Sequence, residues 1–152
     1  TPEKKNLISL EDVHNSRALQ KAAKYGRMDA IHFLLDWGLT PDSARLYDFY
    51  ALQSASSHGH LNVCKFLMNW ASVTAQELRG AFILHHAVKS GNLALCQHLK
   101  LWRHDQSNSD QLNLKDLRTP YSGLTPLEIA TKHGHVLVIE FLTAWETDLL
   151  VK

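Results

Sequence analysis

The stretch Pro126–Val136 reads PLEIATKHGHV, and close variants of it occur three more times in the chain. The other copies are ALQKAAKYGRM, ALQSASSHGHL and ILHHAVKSGNL, which begin at Ala18, Ala51 and Ile83. Three residue types keep one register through all four copies, with steps of 33, 32 and 43 residues: Leu19, Leu52, Leu84 and Leu127; Ala22, Ala55, Ala87 and Ala130; Gly26, Gly59, Gly91 and Gly134. Self-similarity with a period of this size predicts a tandem array of supersecondary units.

Each unit is predicted to be a helical hairpin. The alanines and their small neighbours lie on a first short helix, and the glycine follows where a tight reversal needs a positive φ. Apolar residues then recur at helical spacing, as in the run from Met28 to Leu35, up to a tryptophan that lies eleven residues after the glycine. We expect these tryptophans to pack between successive repeats, and a continuous apolar strip for a partner is the alternative: Trp37, Trp70, Trp102 and Trp145.

These residues resemble the ankyrin repeat family, whose usual repeat reads Thr-Pro-Leu-His-x-Ala and continues with Gly-His-Leu. Thr125-Pro126-Leu127 keeps the first motif, and Gly59-His60 and Gly134-His135 keep the second, whereas Gly91-Asn92 departs from it. The resemblance covers about residues 16–145. It implies an all-α fold, an ankyrin-repeat solenoid of four helix-turn-helix units with short finger linkers and one longer loop insertion.

The domain organisation follows from the same register. We expect a single ankyrin-repeat domain over 1–152, with repeats at about 16–38, 49–71, 81–103 and 123–146, as a fragment of a longer protein. The linkers Ser9–Asp12, Thr40–Ser43 and Thr74–Glu77 resemble N-capping sequences, so each finger is predicted to start as a helical turn. This type of linker is similar to those of ankyrin arrays in intracellular bacteria and large viruses.

An insertion of about 103–122 separates the third and fourth repeats and is rich in Asp, Ser and Asn. A surface loop of this length closes at low entropic cost, which favours a tolerated insertion. Loops also carry a disproportionate share of binding residues, so a recognition role is the alternative.

Composition restricts the classes of partner. Lysine and arginine total 16 against 15 acidic residues, a net charge of +1, so there is no strong field to attract nucleic acid. No apolar run approaches the roughly 20 residues that span a bilayer, so no membrane partner is expected. Cys64 and Cys96 occupy equivalent apolar positions, as reduced core thiols of a cytoplasmic protein do. We expect a cytoplasmic monomer, or, for an effector, a location in the host cytoplasm.

The ten histidines raise the question of a metal site. His58-Gly59-His60 and His133-Gly134-His135 are repeat-equivalent, so the fold accounts for them better than a convergent ligand set does. Burial would raise the pKa of the two cysteines, and no nucleophile elbow, phosphate loop or paired carboxylates occur. We therefore expect no enzymatic activity, no catalytic residues, no metal and no cofactor.

The resemblance implies a protein partner held by the concave face and the fingers. The two residues before each glycine vary while the anchors persist, and aromatic residues are concentrated in the second finger. A solvated face is the alternative for the lysine-bearing pairs, and packing between fingers is the alternative for the aromatic rings. The predicted partner-binding residues are Lys24, Tyr25, Tyr47, Phe49, Tyr50, His58, Arg79, Phe82, Lys89, Lys132 and His133.

The basic and aromatic character of these residues predicts a partner segment with acidic and apolar residues. The function that follows is a scaffold or adaptor for protein-protein interaction. The resemblance of the linkers to those of intracellular bacteria and large viruses implies, more specifically, a pathogen effector that acts on a host protein. The alternative is a substrate-recruitment domain of a larger enzyme whose catalytic part lies outside this chain.

Overall fold

The computed structural model describes residues 17–74, 77–78, 81–102, 114, 117–120 and 122–151, and of 41–48 and 148–151 only the backbone. Over these residues the chain forms helices without any strand, as the all-α prediction requires. The helices are α1 (Ala18–Lys24), α2 (Met28–Trp37), α3 (Pro41–Ser57), α4 (Leu61–Trp70), α5 (Ile83–Ser90), α6 (Leu93–Leu101), α7 (Pro126–His133) and α8 (Val136–Val151).

Two compact units divide the chain, one over Thr1–Val73 and the other over Thr74–Lys152. In the first unit, α1 packs against both α2 and α3, and α3 packs against α4. In the second unit, α5 packs against α6 and α7, while α8 packs against α6 and α7. Each unit therefore contains two of the predicted helical hairpins.

The turn between the two helices of each repeat follows the predicted glycine. All four glycines have a positive φ, between 67° at Gly26 and 75° at Gly91. In the first repeat the Gly26 N–H donates to the Ala23 carbonyl, and the Arg27 N–H donates back to the Ala22 carbonyl at 2.9 Å. The second and fourth repeats make the same pair of bonds, which is the Schellman arrangement for ending a helix.

Close approach between neighbouring helices explains the small residues of the first helix. Ala23, Ser56 and Val88, which share one repeat position, are all 0% exposed. On the second helix the shared position of Ile31, Cys64 and Cys96 is also fully buried. The predicted core positions are thus confirmed in the first three repeats. In the fourth repeat the equivalent Thr131 is exposed and Ile139 is half-buried.

Two helix N-termini are capped by side chains. Thr125 and Glu128 make a reciprocal capping box, with Pro126 at the first turn of α7. In the linker, the Glu77 N–H donates to Thr74 Oγ1 at 3.1 Å, and the Thr74 N–H donates to a Glu77 carboxylate oxygen at 2.9 Å. The linker before the third repeat therefore starts as a capped helical turn, as its sequence predicts.

The second linker is more regular than predicted. Instead of a helical turn followed by a separate short helix, α3 runs without a break over Pro41–Ser57. No glycine or proline occurs after Pro41 within this range, so nothing in the backbone interrupts the helix once it has begun. Ser9–Asp12 and most of the 103–122 insertion lie outside the described residues.

Among the residues that the structure describes, no helix combines the length and the apolar character that crossing a bilayer requires.

Candidate functional site

In the first unit, three of the predicted contact residues lie around the side chain of His60. The Nε2–H of His60 donates to the Lys24 carbonyl at 2.9 Å. The His58 ring stacks on the His60 ring, with centroids 6.3 Å apart and planes 7° from parallel. The Lys24 ammonium lies 5.4 Å from the centre of the Tyr25 ring, and 67% of Tyr25 is exposed. We call Lys24, Tyr25, His58 and His60 the first turn cluster.

The second unit repeats this arrangement with different neighbours. His135 donates its Nε2–H to the Lys89 carbonyl at 3.0 Å, and the His133 ring stacks on it at 5.9 Å with planes 9° apart. Lys89, Lys132 and His133 are exposed. We call Lys89, Lys132, His133 and His135 the second turn cluster. The structure thus brings the predicted lysines and histidines together in two separate but equivalent groups.

The glycines make room for the histidines that hold these clusters. A Cβ atom on Gly26 would lie 2.8 Å from Nδ1 of His60, and a Cβ atom on Gly91 would lie 2.6 Å from the His135 ring. Each ring therefore occupies space that only glycine leaves open. The second histidine of each His-Gly-His triplet joins one repeat to the preceding one, in agreement with the structural role that the sequence indicated.

The stacking geometry also bears on metal binding. Ring nitrogens direct their lone pairs within the plane of the ring, and the planes of His58 and His60 run parallel, as do those of His133 and His135. Within the described part of the chain, no group of three or more His, Cys, Asp or Glu side chains has a metal-binding arrangement.

An open cavity of about 390 Å³ lies beside the first turn cluster. Its walls are Gly26, Met28, Gly59 and the residues from His60 to Val63 at the start of α4. The sequence does not predict this cavity, because its space arises where two glycine turns meet in three dimensions. The signal in the sequence is only that Gly26 and Gly59 have no side chain to fill it.

The aromatic finger residues have different surroundings. Tyr50 is 50% exposed and Phe49 is half-buried. Phe82 is half-buried, and its ring packs edge-on against the ring of His85, with the centroids 5.3 Å apart. The side chains of Tyr47 and Arg79 lie outside the described residues.

The departure from the family motif at Asn92 has a structural consequence. The Asn92 side chain accepts the Leu95 N–H at 3.0 Å and so caps α6, whereas His60 and Arg27 provide no side-chain cap at the same position. The Asn92 N–H donates to Ser90 Oγ, which in turn donates to the Ala87 carbonyl. In the third repeat these two hydrogen bonds through Ser90 therefore replace the backbone bond that the residue after the glycine makes in the other repeats.

His85 ties α5 to Leu117, within the 103–122 insertion. Its Nε2–H donates to the Leu117 carbonyl at 2.9 Å, and the residue is 4% exposed. Burial lowers the pKa of His85, although the bond to Leu117 partly opposes this shift. Burial also lowers the pKa of His86, with smaller contributions from Lys89 and His85.

The lowered pKa of His85 makes stability depend on pH. The unfolded chain binds a proton more readily than the buried imidazole, so the free energy of unfolding falls as pH drops below the ordinary histidine range of about 6.5. In His85→Gln the amide can still donate to Leu117 but does not titrate. Urea denaturation between about pH 8 and pH 5 is expected to show a shallower pH dependence for this variant. If the free energy of unfolding changed equally with pH in His85→Gln and in the unsubstituted chain, His85 would not be the source of the pH dependence.

The two cysteines are buried thiols, as predicted. Burial raises the pKa of Cys64 to about 11 and that of Cys96 to about 12. The thiolate is the nucleophilic form, so both side chains are mainly unreactive near neutral pH.

The tryptophans at the ends of the second helices are buried to different extents. Trp145 is 3% exposed, Trp70 and Trp102 are half-buried, and Trp37 is 37% exposed. The predicted packing role therefore holds most fully at Trp145. At Trp37 the exposed part of the side chain is also compatible with the alternative, which is contact with a partner.

The comparisons with known proteins bear on the whole array. A family model described as "Ankyrin repeats (3 copies)" matches residues 52–152. A second, described as "Ankyrin repeats (many copies)", matches residues 19–68. No curated protein gives a match. Together with the four glycine turns and the paired helices, these matches show that the chain belongs to the ankyrin repeat family, whose repeats are generally protein-protein interaction modules.

Proposed function

We propose that this chain binds protein at its two turn clusters, one in each unit, and that the polypeptide segment bound at each cluster carries acidic and apolar residues. The observation that supports the proposal most is that one arrangement occurs twice. In each unit an exposed lysine is joined through its carbonyl to a histidine of the next repeat, and a second, exposed histidine stacks on that ring.

The charges of the clusters favour acidic residues in the partner. Lys24, Lys89 and Lys132 are exposed, and none of them has an ion pair within the described residues. Exposed ion pairs contribute only about 0.2–1 kcal/mol each, so three lysines provide selectivity and faster association more than high affinity. Exposed Tyr25 and Tyr50 add the large, semi-rigid apolar area that commonly dominates binding energy.

The cellular role that fits this surface is a monomeric scaffold or adaptor in the cytoplasm. Buried, reduced Cys64 and Cys96 support a reducing compartment. The similarity of the linkers to those of ankyrin arrays in intracellular bacteria and large viruses supports an effector whose partner is a host protein.

The test is a measured affinity for a partner captured by proximity labelling. Changing Lys24, Lys89 and Lys132 together to glutamine is expected to weaken binding about tenfold, because each lost pair contributes up to about 1 kcal/mol. The matched control removes three exposed positive charges outside the clusters, through Arg17→Gln, Lys21→Gln and Lys65→Gln. This control is expected to change the affinity by less than about twofold. Unchanged affinity in the cluster variant would rule out the acidic part of the proposal.

A further inference from the structure

We propose that the cavity beside His60 is the anchor site of the first turn cluster. It takes an apolar side chain of the partner polypeptide, while the carboxylate of the adjacent partner residue binds His58 and Lys24. This inference rests on the proposed function and specifies the chemistry of the bound segment at one site.

The walls of the cavity suit an apolar side chain. Gly26 and Gly59 contribute no side chain, while the half-buried Met28 and Leu61 leave part of their apolar surface uncovered. The volume of about 390 Å³ falls within the range of roughly 300–1,000 Å³ that small-ligand sites have. Because the cavity is open to solvent, a side chain can enter it from outside without movement of the helices.

The polar groups of the first turn cluster suit a carboxylate. The Lys24 ammonium is exposed, and the carboxylate of Asp29, at the start of α2, is held by Arg27 through two bonds of 3.1 and 2.9 Å. Asp29 therefore does not neutralise Lys24, and the cluster keeps a positive charge for a partner. Charge complementarity thus favours an acidic residue next to the apolar anchor.

The hydrogen bonding of His58 determines how it meets that carboxylate. Its Nδ1–H donates to the Ser54 carbonyl at 2.8 Å, so a second donor, at Nε2, exists only on the protonated ring. A carboxylate that binds His58 therefore accepts its hydrogen bond from Nε2–H of the protonated ring. The ring that faces His58 is that of His60.

The experiment titrates two capped dipeptides, N-acetyl-Leu-Glu amide and N-acetyl-Leu-Gln amide, into the isotopically labelled full chain. We expect saturable changes in the backbone amide resonances of Gly26, Gly59, Asn62 and Val63, with a dissociation constant on the order of 1–10 mM, as is usual for so small a ligand. At about pH 6 the glutamate dipeptide should bind about threefold more tightly than the glutamine dipeptide.

Matched variants test the role of the histidine. His58 is exposed and its hydrogen bond stays within its own helix, so His58→Gln is expected to keep the fold and to reduce the preference for glutamate to the part that Lys24 contributes. His133→Gln changes the equivalent residue of the other unit and should leave the titration at Gly26 unchanged. Absence of saturable changes at the four amides, or equal affinity for both dipeptides, would overturn the proposal. If partner capture still depends on the three lysines in that case, the proposed function survives without this anchor.

Discussion

Trp145→Ala is expected to lower the free energy of unfolding by about 3–5 kcal/mol, the usual cost of truncating a buried tryptophan. The residue is 3% exposed, its ring lies 5.9 Å from the ring of Phe141, and the Lys100 ammonium lies 5.5 Å from its centre. Alanine would leave a cavity in this cluster and remove the favourable contact of the ammonium with the ring face.

The matched control is Trp37→Ala, at the same repeat position in the first unit. Its ring packs edge-on against Phe33 at 6.0 Å, but Trp37 is 37% exposed and Phe33 is 63% exposed. Less apolar area returns to water in this variant, so a loss of about 1–2 kcal/mol is expected. Urea denaturation followed by circular dichroism measures both values. Equal losses at the two positions would show that burial does not control the contribution of the tryptophans.

The parts of the fold that depend on neighbours in the sequence were predicted well. The positive φ at the four glycines follows from backbone sterics, and the caps at Thr74 and Thr125 follow from a polar residue followed three positions later by glutamate. The repeat register supplied the buried positions, because residues at equivalent places meet equivalent neighbours.

The parts that depend on three-dimensional surroundings were not predictable in the same way. The four tryptophans look alike in the sequence, yet their exposure ranges from 3% at Trp145 to 37% at Trp37. The continuous helix over Pro41–Ser57 shows that the linker and the first helix of the second repeat fold as one element. The repeat pattern had separated them because it records equivalence between repeats and not the continuity of a helix.

The candidate site combines features that the repeat register predicts with features that only the folded chain shows. Repeat equivalence identified Lys24, His58, Lys89 and His133 as a set, but only the coordinates reveal that pairs of histidines stack and hold the lysine backbone. The cavity beside His60 is defined by absent side chains, which leave no pattern of their own in a sequence.

Gly91→Ala is expected to lower the free energy of unfolding by about 3 kcal/mol. Its φ of 75° costs a residue with a Cβ atom about 1–2 kcal/mol. The new Cβ would also lie 2.6 Å from the His135 ring, which is held by its bond to the Lys89 carbonyl and by stacking on His133. The ring can move away only by weakening that bond, which adds about 1–2 kcal/mol.

Gly134→Ala separates these two contributions. Gly134 occupies the same repeat position with a φ of 68°, but no atom lies within 4 Å of the added Cβ, so only the backbone cost of about 1–2 kcal/mol is expected. Combining Gly91→Ala with His135→Ala should reduce the cost of the glycine substitution to the Gly134 value, since the clash partner is gone. Thermal and urea unfolding of Gly91→Ala, His135→Ala and their combination, each against the unsubstituted chain, gives the coupling free energy between Gly91 and His135. A coupling near zero would mean that the histidine does not require the glycine, and that the His-after-Gly pattern serves another purpose in this chain.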